Sequence, residues 1–455
     1  MATKSKHNAA IASPERRRIL GWGVIAGALL GLAGATALPF YFESASILYK
    51  FGWERLILLA AHAMGVVAGY LLLIQVLLAA RLKVLDRLFG LDLLFKIHRA
   101  CGIAIATTVL LHPVLIFLSD DRLFIPFQLR YWPEFVGLLV WVLLVATAVF
   151  SCWRARFRIA FHRWWFFHRN AAVLIFAAFW IHLYFVNETF RHGVPLAIFW
   201  GGLGLGALAM IWSRTRFLRL QRNPFSVSVV EHAGKDTVRL KIESPSGNPP
   251  AYLPGQFGFI TPLSSALAQE EHPFTIASTP SRAEALEFII RAGGDWTGQL
   301  DRLQPGDKVL LDGPFGRFSY LLHPAADEIV LIAGGIGITP MLSMLRHLAD
   351  RKDHRRIKLI WSNRSRDRLD LDRELSRLQS RLKGLDIHRI FTGESDVGDA
   401  DRRLNRSKLE ALLNDCSPNA RIYVCGPDRM IVDMVRHLIA LGTPKRLIHS
   451  ERFSL

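Results

Sequence analysis

The chain has 455 residues, 51% of them hydrophobic, with a mean hydropathy of +0.25 and a formal net charge of +18. That is too long for one ordinary domain and too apolar for a soluble one. Its four cysteines, Cys101, Cys152, Cys416 and Cys425, form no CxxC pair, which argues against a disulfide framework, a zinc finger or an iron–sulfur cluster.

Residues 1–17 read as a basic tail, and 18–213 as a series of apolar runs separated by short basic loops. Six runs, near 19–42, 55–80, 98–118, 134–153, 168–187 and 194–212, have the roughly 17–25 residues that a helix needs to cross a bilayer. The basic segments "KSK", "ERRR", "RLKVLDR", "RARFRIAFHR" and "RTRFLRLQR" fall on one side, and "SDDRLF" and "NETFRHG" on the other. The positive-inside bias then predicts an integral, multi-pass protein in a bacterial inner or plasma membrane, with both termini cytoplasmic. The first run is too long for the apolar core of a signal peptide and is taken as a span. Because the excess of base lies beside the spans, membrane lipid is its expected partner, and nucleic acid is not.

"HRACGIAIATTVLLH" (98–112) and "HRNAAVLIFAAFWIH" (168–182) both begin and end in histidine, and both separations are fourteen residues: 112 − 98 and 182 − 168. Fourteen residues are close to four helical turns, which sets the two histidines of each run on nearly one face, about 21 Å apart. The runs are the third and fifth spans and so point the same way. His98 is then level with His168, and His112 with His182. Facing imidazoles in an apolar bundle are suited to bis-histidine ligation of haem iron, and two levels predict two b-type haems. A single such histidine would more simply join helices by a hydrogen bond, but four at matched depth are not explained that way. His62, in the second span, is read as a structural hydrogen-bonding residue.

From Arg214 onward charges occur throughout. Residues 223–322 contain short alternating runs, "FSVSVV", "TVRLKI", "FGFITP" and "LEFIIRA", which predict an antiparallel β-barrel. Within it, "EHPFTIAST" offers Phe274 and the Thr275 hydroxyl to a planar ring, and Arg291 can neutralise a phosphate. In "GDWTGQL", Gly294 permits close backbone approach, and Thr297 opens a helix whose N–H groups attract an anion. Residues 326–455 predict an α/β nucleotide-binding domain. There "EIVLIAGGIGITPMLSMLRHL" places Gly334, Gly335 and Gly337 between a buried strand and an amphipathic helix, where glycines cradle a pyrophosphate. "RIYVCGP" brings Cys425, Gly426 and Pro427 to the same sheet edge, and Arg364 and Arg366, beyond a further strand, suit a 2′-phosphate. This favours NADPH while leaving NADH possible.

"HPFTIAS", "GDWT", "DGPFG", "GGIGITP" and "CGP", in that order behind six spans with paired histidines, resemble the NADPH oxidase and ferric reductase family of transmembrane flavocytochromes. The soluble half also resembles the ferredoxin–NADP reductase superfamily. The resemblance implies that His272, Pro273, Phe274 and Thr275 hold FAD, with Arg291, Gly294 and Thr297 toward its pyrophosphate. It implies a nicotinamide nucleotide site at Gly334, Gly335, Gly337, Thr339 and Pro340, completed by Gly426 and Pro427. Thr275, Cys425 and Phe453 would lie nearest the reacting rings, although the two residues after Phe453 depart from relatives that end on an aromatic. The implied activity carries electrons from NADPH through FAD and two haems to an acceptor across the membrane: oxygen, a ferric chelate or a redox protein. The alternative is a membrane-anchored NAD(P)H flavin reductase that serves a redox partner without transmembrane haem transfer.

Overall fold

The computed structural model describes residues 14–120, 124–154, 156–282, 285–365, 370–393 and 403–452. Its chain divides into two compact units, Glu15–Arg216 and Phe217–Leu455. In the first unit, six long helices follow the apolar runs: Pro14–Tyr41 (α1), Gly52–Ala79 (α2), Leu91–Asp120 (α3), Trp132–Trp153 (α4), Phe161–Val186 (α5) and Gly193–Gln221 (α6). All six are long and apolar enough to cross a membrane. Leu30 and Leu208 are 73% and 67% exposed, a placement that suits lipid and would be costly in water.

The helices are longer than the apolar runs. α3 and α5 begin at Leu91 and Phe161, so His98 and His168 each lie seven residues inside their helix rather than at its start. Lys96 and Arg163 are compatible with helix and can reach a polar interface, so the backbone has no reason to stop where apolarity does. α6 likewise runs through "SRTRFLRLQ" beyond Trp212.

Within the bundle α2 packs on α3 and α4 on α5. Small residues let the helices close up. A Cβ at Gly202 or Gly206 of α6 would stand 2.7 Å from Trp180 Cη2 or 2.4 Å from Phe176 Cε2. Two notches four residues apart thus receive two rings four residues apart on α5.

The second unit begins with the expected antiparallel domain: Phe225–His232 (β1), Thr237–Glu243 (β2), Phe257–Pro262 (β3), His272–Thr275 (β4), Ala285–Arg291 (β5) and Lys308–Phe315 (β6). These make one six-stranded sheet in the order β4-β3-β6-β1-β2-β5, with neighbours antiparallel and no ladder between β4 and β5. A five-stranded parallel sheet follows, ordered β11-β10-β7-β8-β9. It contains Glu328–Gly334 (β7), Arg356–Asn363 (β8), Leu385–Phe391 (β9), Arg421–Gly426 (β10) and Ile448–Arg452 (β11). Helices Ile338–Asp350 (α7), Asp372–Arg381 (α8), Arg406–Leu413 (α9) and Asp428–Ala440 (α10) accompany it.

β7 is buried at every position because both faces are covered. Ile329, Leu331 and Ala333 join one core with Met341, Leu345 and Leu348 of α7, while Val330 and Ile332 join another with Ile431 and Met434 of α10. The first core also takes in Ala277, Ile289 and Phe318, making it continuous with the antiparallel domain.

Candidate functional site

The rings of His98 and His168 stand 6.1 Å apart, centre to centre, with their planes at 64°. Two imidazoles bonded to one metal between them, at about 2 Å per bond, would have centres about 6 Å apart, so the spacing fits a shared metal. His98 Nδ1 is buried without a hydrogen-bond partner. His168 Nδ1 lies 3.4 Å from Ser151 Oγ, which donates to Thr147 O at 2.6 Å and accepts from Trp164 Nε1 at 3.2 Å.

His112 and His182 are each held by a backbone carbonyl. His112 Nδ1 hydrogen bonds Ala61 O at 2.8 Å, and His182 Nδ1 hydrogen bonds Pro133 O at 2.8 Å. A carbonyl only accepts, so in each ring Nδ1 carries the proton and Nε2 keeps its lone pair, the form a metal requires. Both rings also lie over a glycine four residues beyond that carbonyl. A Cβ at Gly65 would stand 3.2 Å from His112 Cε1, and one at Gly137 would stand 2.4 Å from His182 Cε1. The α2–α3 and α4–α5 pairs therefore repeat one device, a carbonyl and a glycine at the same offset. Neither was read from the sequence, because both lie on helices other than those bearing the histidines. The signal present was a glycine in each neighbouring apolar run.

Among the described residues no group of three or more His, Cys, Asp or Glu is placed to hold a metal ion. Two imidazoles per level fit a metal that brings its remaining ligands with it, as iron in a porphyrin does.

In the second unit, β4 carries "HPFT" and, among the described residues, pairs with β3. Strand alternation sends His272 and Phe274 to one face and Pro273 and Thr275 to the other. Thr275 is buried. Phe274 is engaged by Trp296, with ring centres 6.2 Å apart and planes 18° apart, and His272 lies 4.2 Å from the same indole. Trp296, whose Nε1 donates to Ala268 O at 2.8 Å, thus organises the strand, a role the sequence reading did not give it. Thr297 begins a six-residue 3-10 segment, and its Oγ1 accepts from the amides of Gly293 and Gly294 at 3.2 and 3.0 Å. It closes its own turn, which leaves those two amides occupied. Arg291 is exposed, with Nε 3.4 Å from Asp236 Oδ2.

The glycine turn after β7 meets the end of β10. Gly335 has φ +53°, a left-handed conformation that favours glycine. A Cβ at Gly337 would stand 2.3 Å from Cys425 O, and one at Gly426 would stand 3.1 Å from Gly334 Cα. The turn and the "CGP" corner, with Pro427 opening α10, therefore touch backbone to backbone at the carboxyl ends of adjacent parallel strands. Thr339 and Pro340 form the first turn of α7, and Thr339 Oγ1 donates to Ile336 O at 3.1 Å. Cys425 is fully buried. Arg364 is exposed just past β8, whose end pairs with that of β7, so the residue follows the same sheet edge. Arg366 and Phe453 lie outside the described residues.

Three family models match the chain. The ferric reductase like transmembrane component matches residues 64–179, an FAD-binding domain 220–319 and an oxidoreductase NAD-binding domain 331–436. Among curated proteins, the chain is similar to the reductase component of propane 2-monooxygenase from Mycolicibacterium smegmatis, at 27% identity over 50% of this chain and 66% of the relative. It is also similar to the stachydrine N-demethylase reductase subunit Stc4 of Rhizobium meliloti, at 29% identity over 48% of this chain and 63% of the relative. Each match thus spans less than two thirds of the relative's own length. Among solved structures, the Amycolatopsis cytochrome P450 reductase GcoB matches with a TM-score of 0.44 and 24% identity, over 51% of this chain and 69% of that one.

Proposed function

From a chain that joins a ferric reductase-like transmembrane component to FAD- and NAD-binding domains, the architecture of the NADPH oxidase and ferric reductase family, we propose that this NAD(P)H-dependent oxidoreductase carries electrons from cytoplasmic NADPH across the membrane to an acceptor on the far side. The observations that support the reading are the His98–His168 ring separation and the bonds from Nδ1 of His112 and of His182 to carbonyls, which leave Nε2 of each neutral ring with its lone pair.

Gly334, Gly335 and Gly337 let the backbone approach a pyrophosphate, and the N-terminal end of α7, where Thr339 has an N–H and Pro340 has none to leave unpaired, would face the phosphate charge. Arg364 would pair with a 2′-phosphate, which favours NADPH over NADH. Gly426 and Pro427 close the site from the β10 side, and buried Cys425 keeps the meeting point of the two rings free of water. His272, Pro273, Phe274 and Thr275 would hold the flavin along β4, with Arg291 and Gly294 toward its phosphates. Held there, a bound FAD would supply the change from a two-electron donor such as NADPH to one-electron release. His98 with His168, and His112 with His182, would hold two b-type haems, which when bound provide one-electron stations across about 30 Å of hydrocarbon. The protein's own contribution there is orientation: Gly65 and Gly137 make room for two imidazoles that Ala61 O and Pro133 O then fix. The basic loops hold both termini on the cytoplasmic side. The acceptor is oxygen, a ferric chelate or a redox protein.

A second reading draws on the relatives named as reductase components. In it the chain is a membrane-anchored flavin reductase serving a redox protein, without haem transfer. An absorption spectrum of the protein in detergent, recorded before and after anaerobic NADPH with haem quantified, separates the two. Two low-spin haems per chain that become reduced are expected. A flavin spectrum alone, from protein made with ample haem, would defeat transmembrane transfer and leave the anchored reductase.

A further inference from the structure

α7 starts directly after the glycine turn, and one of its faces is fastened to the segment directly after β4. Ser343 Oγ donates to Ser278 O at 2.7 Å. Arg346, one turn on, uses all three guanidinium nitrogens: Nη1 donates to Ala277 O at 2.8 Å, Nη2 to Glu287 Oε1 at 2.9 Å, and Nε to Glu374 Oε1 at 2.6 Å. The first two acceptors belong to the flavin-side domain and the third to α8 of the nucleotide-side domain. Arg346 and Glu287 keep only 14% and 11% side-chain exposure. Arg239 and Lys241 also face Glu287, at 3.7 and 4.0 Å, so the cluster is not a simple pair.

Burying such a cluster adds little stability over an apolar core of the same shape, so stability alone is a weak account of it. What a planar three-way fork adds is a fixed distance and angle between the groups it joins. Those groups are the helix that opens at the nucleotide turn and the chain two and three residues beyond Thr275. We infer that Arg346, with Ser343, is a positioning residue that sets the separation between nicotinamide and flavin for hydride transfer. The inference rests on the reading above, in which the nucleotide binds at the β7–α7 turn and the flavin along β4.

Burial alone would lower the affinity of Arg346 for its proton, but the two glutamates outweigh it and hold the guanidinium charged. Lysine at this position keeps a charge yet cannot reach three acceptors in one plane.

The test is anaerobic rapid mixing of the full-length, FAD-loaded protein with NADPH, following flavin absorbance across nucleotide concentrations. Arg346→Met is expected to lower the limiting rate of flavin reduction about tenfold or more, since small misplacements of reacting atoms cost that much, with half-saturation and FAD content little changed. Arg346→Lys recovers only part of the loss. Ser343→Ala, a smaller change, lowers the limiting rate a few-fold in the same way. A limiting rate for Arg346→Met within about twofold of the unsubstituted protein overturns the inference, as does a loss seen only as weaker nucleotide binding. Should Arg346→Met fail to hold FAD, Ser343→Ala decides by the same criteria. Flavin in the unsubstituted protein that neither NADPH nor NADH reduces would defeat the functional reading itself, and the inference with it.

Discussion

His449 of β11 stacks on His323, with ring centres 3.9 Å apart, and lies 5.1 Å from Tyr423, whose hydroxyl hydrogen bonds His323 Nδ1 at 3.1 Å. Burial first, and then His323, Arg421 and Arg317, push the His449 imidazole down to about 3 from 6.5. A base with a depressed folded pKa takes up its proton in the unfolded chain first, so its contribution is fully present above pH 6.5 and is lost as pH falls from there toward 3. The second unit should therefore lose stability through that window, by at most about 1.4 kcal/mol per pH unit and by less because the ring is partly exposed. His449→Phe keeps the stack and removes the proton. Thermal unfolding at pH 5 and pH 7, followed by flavin release, should show a smaller acid-induced drop in Tm for the variant, and an unchanged drop would assign it to other groups. Nothing in "LIHSERF" announces this, because the partners come from residues more than twenty positions away. Thr297 shows the same limit: its spacing from Gly294 is legible, but the direction in which its hydroxyl turns is settled by the local turn.

At the level of elements, periodicity and punctuation carried the reading far. Long apolar runs became helices, "FSVSVV" and "TVRLKI" became β1 and β2, and the glycine turn after a buried strand opened α7. What one-dimensional spacing does not contain is which helix lies against which. The histidine spacing places two rings on one face of α3 and two on one face of α5, but the notches and carbonyls that seat His112 and His182 are on α2 and α4. That pairing makes a graded prediction. Gly137→Ala puts a Cβ 2.4 Å from His182 Cε1, so the ring must swing away from Pro133 O, whereas Gly65→Ala meets His112 only at 3.2 Å. On the proposed two-haem reading, haem content measured on purified protein should fall from about two toward about one per chain for Gly137→Ala and change less for Gly65→Ala, because losing the group that orients a ligating histidine typically costs about 10–100-fold in metal affinity. Full haem content with an unshifted spectrum in Gly137→Ala would mean that helix α5 has room to adjust.

Over the whole molecule, the composition divides the chain into a greasy half and a charged half, and the structure divides it into two units whose boundary along the chain lies between Arg216 and Phe217. Each unit has cores built from its own residues, with Phe176, Trp180 and Phe199 in one and Leu331, Met341 and Tyr423 in the other. His98, His112, His168 and His182 belong to the first unit, and the matches to FAD- and NAD-binding domains lie essentially in the second. Chemistry confined to the second unit should therefore survive the loss of function in the first. Replacing His98 and His182 together by alanine removes one imidazole from each level. The expected protein binds little haem and fails to reduce any acceptor offered on the far side in sealed vesicles, while NADPH still reduces its flavin at close to the original rate, because neither histidine belongs to the unit that carries the nucleotide-binding sequences. Flavin reduction measured in detergent and acceptor reduction measured in vesicles separate the two halves. If acceptor reduction continued after both levels were broken, electrons would be leaving from the flavin, and the histidine pairs would be structural.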